Sequence, residues 1–234
     1  MRHSLKLLIF FTIMIGAGFA ANETVPSQHL PWRSLNPEAP LGFATKSQLL
    51  QLSLSPSKRC MDMAADVVHL QSIAAEPHRP AKYKTCGWDI AREVSQSAGI
   101  KFSPDAVNMQ CPLSIASYLW TREIKEIARE EFGSSITAIT HYGTYSCRRQ
   151  NGNNSGQWSE HAYANAWDIA GFKLSTGRVI SVQSGWDGKA DEKRFLRRAR
   201  KAGCKIFNVT LSPDFNAAHA DHFHFDMGPT KSCR

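Results

Sequence analysis

The sequence predicts one α+β domain over residues 59–234, with helices packed on a central antiparallel sheet. Two observations predict this class. Apolar residues recur at helical spacing in three segments that end by Gly133, and alternating patterns joined by short turns dominate from residue 135 onward, with one further helical segment among them. Helices followed by a run of strands are typical of an α+β arrangement. The span is a normal size for a single domain that buries its own core.

The chain before this domain has two parts. Residues 1–20 begin with basic side chains, continue with an apolar run at 7–15 and end on Gly18 and Ala20, which is the pattern of a secretory signal peptide. An uncleaved anchor is the alternative, but the run is shorter than the roughly 20 apolar residues of a transmembrane helix. We therefore expect no stable membrane insertion after cleavage. Residues 21–58 are rich in Pro, Ser and Asn without sustained periodicity, which indicates a linker or a loosely packed N-terminal arm.

Four segments have the apolar spacing of amphipathic helices. The third has the clearest ends, because Pro112 lies in its first turn and Gly133 follows its last. Gly99 and Gly203 stand where the second and fourth helices are expected to end. The predicted helices are residues 61–74, 86–99, 111–133 and 191–203.

Five segments have the alternation or the short apolar runs of strands. Residues 166–174 and 178–186 flank a Ser-Thr-Gly turn, so we expect these two to form a hairpin. The predicted strands are residues 135–147, 166–174, 178–186, 204–211 and 222–227.

The cysteines indicate export and three disulfides. An even number of cysteines in a chain with a signal peptide is typical of a periplasmic or secreted protein in an oxidising compartment. Six cysteines allow about 15 pairings, which the sequence leaves open. A cysteine zinc site is the alternative, but no CxxC pair occurs. The six are Cys60, Cys86, Cys111, Cys147, Cys204 and Cys233.

The chain is basic, with a formal net charge of +8. Removal of residues 1–20, which hold Arg2, Lys6 and no acidic residue, leaves +6. Such a charge favours an anionic partner, and envelope polyanions are the simplest one for an exported protein. Nucleic acid is not predicted, because the basic residues are scattered and no nucleic-acid-binding motif accompanies them. A solvated basic face without a partner remains the alternative.

Two histidines near the C-terminus alternate with phenylalanines. Residues two apart on a strand point to the same face, so His222 and His224 share one side while Phe223 and Phe225 share the packed side. An imidazole face opposite an apolar face is expected at a metal or catalytic cleft. Asp221 reaches this site only if the strand begins or bulges there.

A third histidine, His161, can share a metal with Asp168 only if the chain between them turns back. In an extended chain their α-carbons would lie about 23 Å apart, at roughly 3.3 Å per residue. Zinc holds its nitrogen and oxygen ligands at only about 2.0–2.2 Å. Residues 162–165 must therefore form a loop before the strand that carries Asp168.

Zinc fits these ligand types. Two neutral imidazoles and one carboxylate leave a fourth position open for water, as in catalytic sites, although copper and iron use similar ligands. Such a metal lowers the pKa of its water and polarises a carbonyl, while a nearby carboxylate, here Asp221, removes the proton. Hydrogen-bonded surface histidines without a metal are the alternative.

The motifs resemble two related families. "SEHAYANAWD" is similar to the S-x-H-x-x-G-x-A-x-D motif of the zinc D-alanyl-D-alanine peptidases, and "DHFH" is similar to their closing signature; lysostaphin-type endopeptidases and the hedgehog signalling domain share that fold. More closely, "YSCRRQNG", "SEHAYANAWDIAGF", "FLRRARKAGC", "HADHFHFD" and the final "SCR" resemble the bacterial extensin-like C-terminal domain family, across residues 59–234. The resemblance implies a hedgehog-like or D-Ala-D-Ala peptidase-like fold with a zinc site in a cleft.

The resemblance also implies roles for individual residues. It makes His161, Asp168 and His224 the zinc ligands, Asp221 the general base and His222 the group that steadies the oxyanion. Arg148 stands where the peptidases have an arginine that grips the terminal carboxylate of the substrate, a task suited to bidentate pairing. Arg149 is an alternative, and a structural surface role is open for both.

Three further features bear on the loop that carries His161. Ser159 is expected to support it by hydrogen bonding. Ala164 replaces the glycine of the motif, so a position with φ > 0 would strain it by about 1 kcal/mol or more and displace the loop. Trp158, Tyr163 and Trp167 are candidates to line a substrate cleft, although buried packing is the preferred interpretation of Trp167.

The expected function is therefore that of an exported zinc metallopeptidase. Its substrates would be peptide amide bonds in peptidoglycan stem peptides or cross-links, next to a D-amino acid. The alternative is a zinc-containing cell-wall-binding protein without turnover, since related folds also serve in signalling. A disulfide-stabilised envelope protein without metal is a third hypothesis.

Overall fold

A computed structural model describes residues 2–54 and 58–234. The chain divides into two compact units, Met1–Gln48 and Leu49–Arg234. Among the described residues, no helix combines the length and the apolar character that crossing a bilayer requires.

The first unit is largely helical. It contains α1 (Arg2–Thr24) and a 3-10 helix, Ser27–His29, and α2 (Thr45–Leu54) begins in it. The Gln48 side-chain amide donates hydrogen bonds to the carbonyl oxygens of Ser27, Leu30 and Arg33, at 2.9–3.0 Å. A helix thus forms in a segment where the sequence shows no sustained periodicity.

The second unit holds the remaining helices and a ten-stranded sheet. Its helices are α3 (Lys58–Asp66), α4 (Cys111–Phe132), α5 (Val182–Gly185) and α6 (Ala190–Ile206). Its strands are β1 (Leu70–Ala75), β2 (Ala91–Ser97), β3 (Ile100–Ser103), β4 (Val107–Met109), β5 (Ile136–Gly143), β6 (Ala166–Leu174), β7 (Val179–Ser181), β8 (Val209–Leu211), β9 (Phe223–Asp226) and β10 (Ser232–Cys233).

The α+β class is confirmed, but the prediction of an antiparallel sheet is wrong. The strand order is β1-β2-β3-β5-β6-β9-β8-β10, with β4 paired to β2 and β7 to β6. Two pairs, β3 with β5 and β8 with β10, are parallel, so the sheet is mixed. The parallel pair β3–β5 arises because α4 crosses between its two strands, and a crossover helix leaves parallel strands behind it. The predicted hairpin is confirmed, since β6 and β7 pair in antiparallel fashion, but the strand predicted at 178–186 ends at Ser181, where α5 follows.

The second predicted helix, residues 86–99, is a strand and a turn. The pairing of β1 with β2 shifts register between Gln71 and Ser72, so the buried residues Val94 and Ser97 stand three apart. A bulge adds one residue to a strand and so imitates helical spacing. Gly99 is not a helix cap but part of a two-residue turn with Ala98, and both residues have positive φ, as hairpin turns require.

Two other helix boundaries also differ from the prediction. The helix predicted at 61–74 ends at Asp66, and its second half becomes β1 because those residues pair with β2. The last helix continues past Gly203 to Ile206. A Cβ atom at Gly203 would lie 3.0 Å from the Phe225 ring, so this glycine permits close packing rather than ending the helix. The third helix is confirmed, with Gly133 as its left-handed cap.

The core lies between the sheet and the helices α4 and α6. Trp120 of α4 donates its indole N–H to the Ala199 carbonyl of α6 at 3.0 Å, which ties the two helices together. Its ring packs against Trp167 of β6 and Phe225 of β9, at centroid distances of 6.0 and 4.9 Å. Since all these side chains are almost fully buried, they fix the positions of β6 and β9.

Three disulfides link the elements, as predicted. Cys60–Cys111 joins α3 to α4, Cys86–Cys147 joins two loops, and Cys204–Cys233 joins α6 to β10. None of the six cysteines is free. Three disulfides are typical of an extracellular or periplasmic protein.

Candidate metal centre

Two neighbouring strands bring Asp168 and His224 together. β6 and β9 are antiparallel, and Asp168 pairs directly with His224 in their register. Phe223 and Phe225 are fully buried on the opposite face, as the alternation predicts. The Nδ1 atom of His224 lies 2.9 Å from Oδ1 of Asp168.

His161 joins them because the chain before β6 turns back. A 3-10 helix, Glu160–Tyr163, supplies the turn that the sequence requires. The Nε2 atom of His161 lies 3.0 Å from Oδ2 of Asp168 and 3.2 Å from Nδ1 of His224. One ligand atom from each of these residues lies within 4.8 Å of the other two, which makes the three a group able to hold a metal ion.

The His161 side chain is fixed on its far side. Its Nδ1 atom lies 3.2 Å from the Thr144 carbonyl, to which it donates, so Nε2 is the nitrogen that faces Asp168. The backbone N–H of Ser146 donates to the His161 carbonyl at 3.0 Å, and that of Gly87 donates to the Ala162 carbonyl at 2.7 Å. These contacts come from the two loops that Cys86–Cys147 joins.

Ser159 and Ala164 delimit this 3-10 helix. The Ser159 hydroxyl accepts from the His161 N–H at 3.3 Å, which is the support expected of it. Ala164 has φ 54° and ψ 35°, the left-handed conformation that the glycine of the motif would adopt without strain. The Ala164 methyl group is buried in a cluster with Trp88 and Ala91, and the Ala164 carbonyl accepts from the Gln110 N–H at 2.9 Å.

The surroundings of Asp168 and His224 favour the charged form of each. Burial disfavours a charged Asp168, but hydrogen bonds from His161 and His224 outweigh it and hold the pKa of Asp168 well below its usual range. Burial likewise disfavours a charged His224, but hydrogen bonds to Asp168 and Asp226 raise the pKa of His224 to about 9. A cation at Nδ1 of His224 is therefore favoured by its surroundings, and a metal ion binding there would displace a proton.

Asp221 and His222 lie beside the group rather than within it. Nδ1 of His222 donates to Oδ1 of Asp221 at 2.7 Å, and the Tyr142 hydroxyl donates to Oδ2 at 3.1 Å. The hydrogen bond from His222 lowers the pKa of Asp221. The Nε2 atom of His222 lies 3.7 Å from Oδ1 of Asp168, so His222 faces the three residues and Asp221 stands behind it.

The two arginines occupy different surroundings. The Arg149 guanidinium lies 4.5 Å from the centroid of the Trp158 ring and donates to the Gly156 carbonyl, so both contacts are within its own loop. Arg148 is exposed, and its positive charge contributes to the lowered pKa of His219.

The three aromatic residues considered for the lining of a substrate cleft differ in burial. Trp167 is fully buried against Phe102 and Trp120, which confirms core packing for it. Trp158 and Tyr163 are half-buried, and Trp158 contacts Tyr83 edge to face at 5.6 Å.

The residues near the centre that were not assigned a role from the sequence include Tyr142, Thr144, His219 and Asp226. The His219 ring lies 5.2 Å from that of His222 and 5.9 Å from that of His224, and burial, followed by the charges of those histidines, lowers the pKa of His219 to about 4. The crowding of histidines after residue 218 was the available signal. Asp226 continues the alternation of 222 and 224 onto the same face, whereas the Thr144 carbonyl has no sequence signal because every residue carries one.

Comparison with known proteins gives one match. The family model described as Extensin-like protein C-terminus matches residues 58–234. No curated protein and no solved structure matches the chain. Because the model covers most of the sequence, the chain belongs to the extensin-like protein C-terminus family.

Proposed function

We propose that this chain is a periplasmic zinc metallopeptidase that hydrolyses peptide amide bonds in cell-wall peptidoglycan. The observation that carries the proposal is the convergence of His161, Asp168 and His224 from a 3-10 helix and two paired strands. The closest nitrogen and oxygen atoms of these residues lie 2.9–3.2 Å apart, with Oδ2 of Asp168 toward His161 and Oδ1 toward His224. Ligands of a tetrahedral zinc ion at about 2.1 Å lie roughly 3.4 Å from one another, so the spacing fits the metal.

The donor set favours zinc over harder cations. Two imidazoles suit zinc, whereas calcium and magnesium prefer oxygen ligands. Each imidazole also donates a hydrogen bond from its second nitrogen. His161 donates to the Thr144 carbonyl and His224 to the Asp226 carboxylate, as histidines that bind a metal usually do. Zinc held by three protein ligands supplies a Lewis acid and a water of lowered pKa.

The neighbouring residues supply proton transfer. Nε2 of His222 lies 3.7 Å from Oδ1 of Asp168, on the side of the centre, while both oxygens of Asp221 accept hydrogen bonds. The lowered pKa of Asp221 makes its carboxylate a weak base. This geometry favours His222 as the group that moves the proton, at Nε2, with Asp221 and Tyr142 orienting its ring. The resemblance assigns the base to Asp221, and substitution separates the two assignments.

Arg148 supplies recognition of the substrate. An exposed guanidinium suits a bidentate grip on the terminal carboxylate of a stem peptide. The disulfides agree with an oxidising periplasm, where peptidoglycan is at hand.

Digestion of purified sacculi tests the proposal. We expect the zinc-loaded mature chain to release products cut at an amide bond next to a D-amino acid, identified by mass spectrometry, and His161→Ala to release none. Zinc-loaded protein that leaves the sacculi intact but sediments with them would instead support the wall-binding protein without turnover.

A further inference from the structure

The two nitrogens of the His224 ring face different partners. Nδ1 lies on the side of Asp168 and His161, at 2.9 and 3.2 Å. Nε2 lies 3.0 Å from Oδ2 of Asp226. Because a carboxylate only accepts hydrogen bonds, Nε2 must carry the proton of this pair. The lone pair of a neutral His224 is then on Nδ1, where a metal would bind.

Asp226 is itself held rigidly. Its Oδ1 atom accepts from the backbone N–H of Gly228 at 2.9 Å, and only 8% of its side chain is exposed. Its backbone pairs with both Ala166 of β6 and Val209 of β8, so it lies in the middle of the sheet. The carboxylate therefore cannot swing away from His224.

The second nitrogen of His161 has a weaker partner. It donates to the neutral carbonyl of Thr144, whereas His224 donates to a buried carboxylate. A charged acceptor strengthens the hydrogen bond and increases the electron density that the imidazole offers to a metal. The two histidines are thus unequal ligands.

We propose that Asp226 is a positioning residue that holds His224 with Nδ1 toward the metal and sets the affinity of the centre for zinc. This inference rests on the zinc centre of the proposed function and adds to it a residue to which no role has been assigned. Partners of this kind change metal affinity by 10- to 100-fold when they are removed.

Asp226→Asn and Asp226→Ala test the role. Asparagine has one acceptor and one donor, so it cannot serve both His224 and Gly228, and alanine serves neither. We expect both variants to bind zinc about 10 to 100 times more weakly than wild type in competition with a chromophoric chelator. Cobalt-loaded variants should show an altered visible absorption spectrum, which a purely structural role would not change.

Asp214→Asn is the control. Asp214, like Asp226, accepts side-chain hydrogen bonds, in its case from Trp186 and Arg197, but it is more exposed and is not part of the metal group. We expect it to lose stability without losing zinc affinity. Zinc affinity and cobalt spectrum unchanged in Asp226→Asn, or equal losses of affinity in Asp214→Asn, would overturn the role of Asp226. A wild-type chain that binds no zinc would overturn both this role and the metal centre, whereas one that binds zinc without turnover would overturn only the peptidase.

Discussion

The histidines of the candidate centre present different ring nitrogens, Nε2 of His161 and Nδ1 of His224. The sequence identified both residues and Asp168 through their motifs, because the side chains that bind metals are few and their spacing is restrictive. It could not identify which nitrogen each would use. That choice depends on acceptors such as the Thr144 carbonyl, which is distant in sequence and carries no residue-specific signal.

Substitution of His222 and Asp221 separates their roles. Because Nε2 of His222 faces the centre, we expect His222→Ala to keep its zinc and to lose turnover by about 10² to 10⁴. Asp221→Asn should also keep zinc, lose less turnover and alter the pH profile of kcat/KM, because it acts through His222. Turnover of muropeptides and zinc content measure both effects. A larger loss in Asp221→Asn would assign the base to Asp221, and full activity in both variants would contradict the mechanism.

The paired arginines give a test of substrate recognition. We expect Arg148→Ala to raise KM by about 10- to 100-fold for substrates with a free terminal carboxylate, the size of a lost charge-assisted pair, with less effect on internal cross-links. Arg149→Ala is the control. The contact of Arg149 with Trp158 contributes about 0.5–1 kcal/mol to stability, and we expect Arg149 to make no contact with the substrate. If Arg149→Ala instead raised KM selectively for these substrates, recognition would belong to Arg149, which would contradict this account.

At the scale of secondary structure, the sequence predicts the strands of the centre better than it predicts the bulged strand β2. β6 was predicted with its observed ends, and its pairing with β9 follows from two alternating segments. β2 was mistaken for a helix because a bulge brings Val94 and Ser97 to helical spacing, and only its partner strand reveals this. Local patterns therefore succeeded where a strand is regular and failed where tertiary pairing bends it.

The Cys86–Cys147 disulfide joins the two loops that hold the 3-10 helix of His161 in place. Gly87 and Ser146, each next to one of these cysteines, donate to the backbone of the 3-10 helix. We expect the double variant Cys86→Ser/Cys147→Ser to weaken zinc binding as well as to lower the free energy of unfolding by about 4 kcal/mol, the loop-closure value for such a span.

The Cys204–Cys233 disulfide provides the control. It joins α6 to the C-terminal strand, away from the His161 loops. Removal by Cys204→Ser/Cys233→Ser should cost about 4 kcal/mol of stability in the same loop-closure account and leave zinc affinity unchanged. Chemical denaturation and chelator competition measure the two quantities, and equal zinc affinities in both double variants would show that Cys86–Cys147 has no special role.

Over the whole molecule, the basic charge is less available than the sequence suggests. Arg194 and Arg198 of α6 form ion pairs with Glu131 of α4, and Arg178 pairs with Asp191 and Glu192. These pairs leave the net charge unchanged but place acidic side chains beside three of the basic ones. Attraction to envelope polyanions stays a prediction that must rest on other residues.

Topology was the least predictable property of the whole molecule. The number of disulfides followed from composition, but their pairing and the parallel strand pairs depend on how distant segments meet. The family model matches residues 58–234, the region in which the motifs lie.

The most direct test of the central claim is a titration of zinc into protein whose metal has been removed with a chelator, with cleavage of muropeptides followed at each addition. The account predicts that turnover rises in proportion to bound zinc, reaches its maximum at about one ion per chain and stays absent in His224→Ala, because one open site of three ligands carries the chemistry. Zinc that binds without turnover, or turnover that does not depend on zinc, would contradict it.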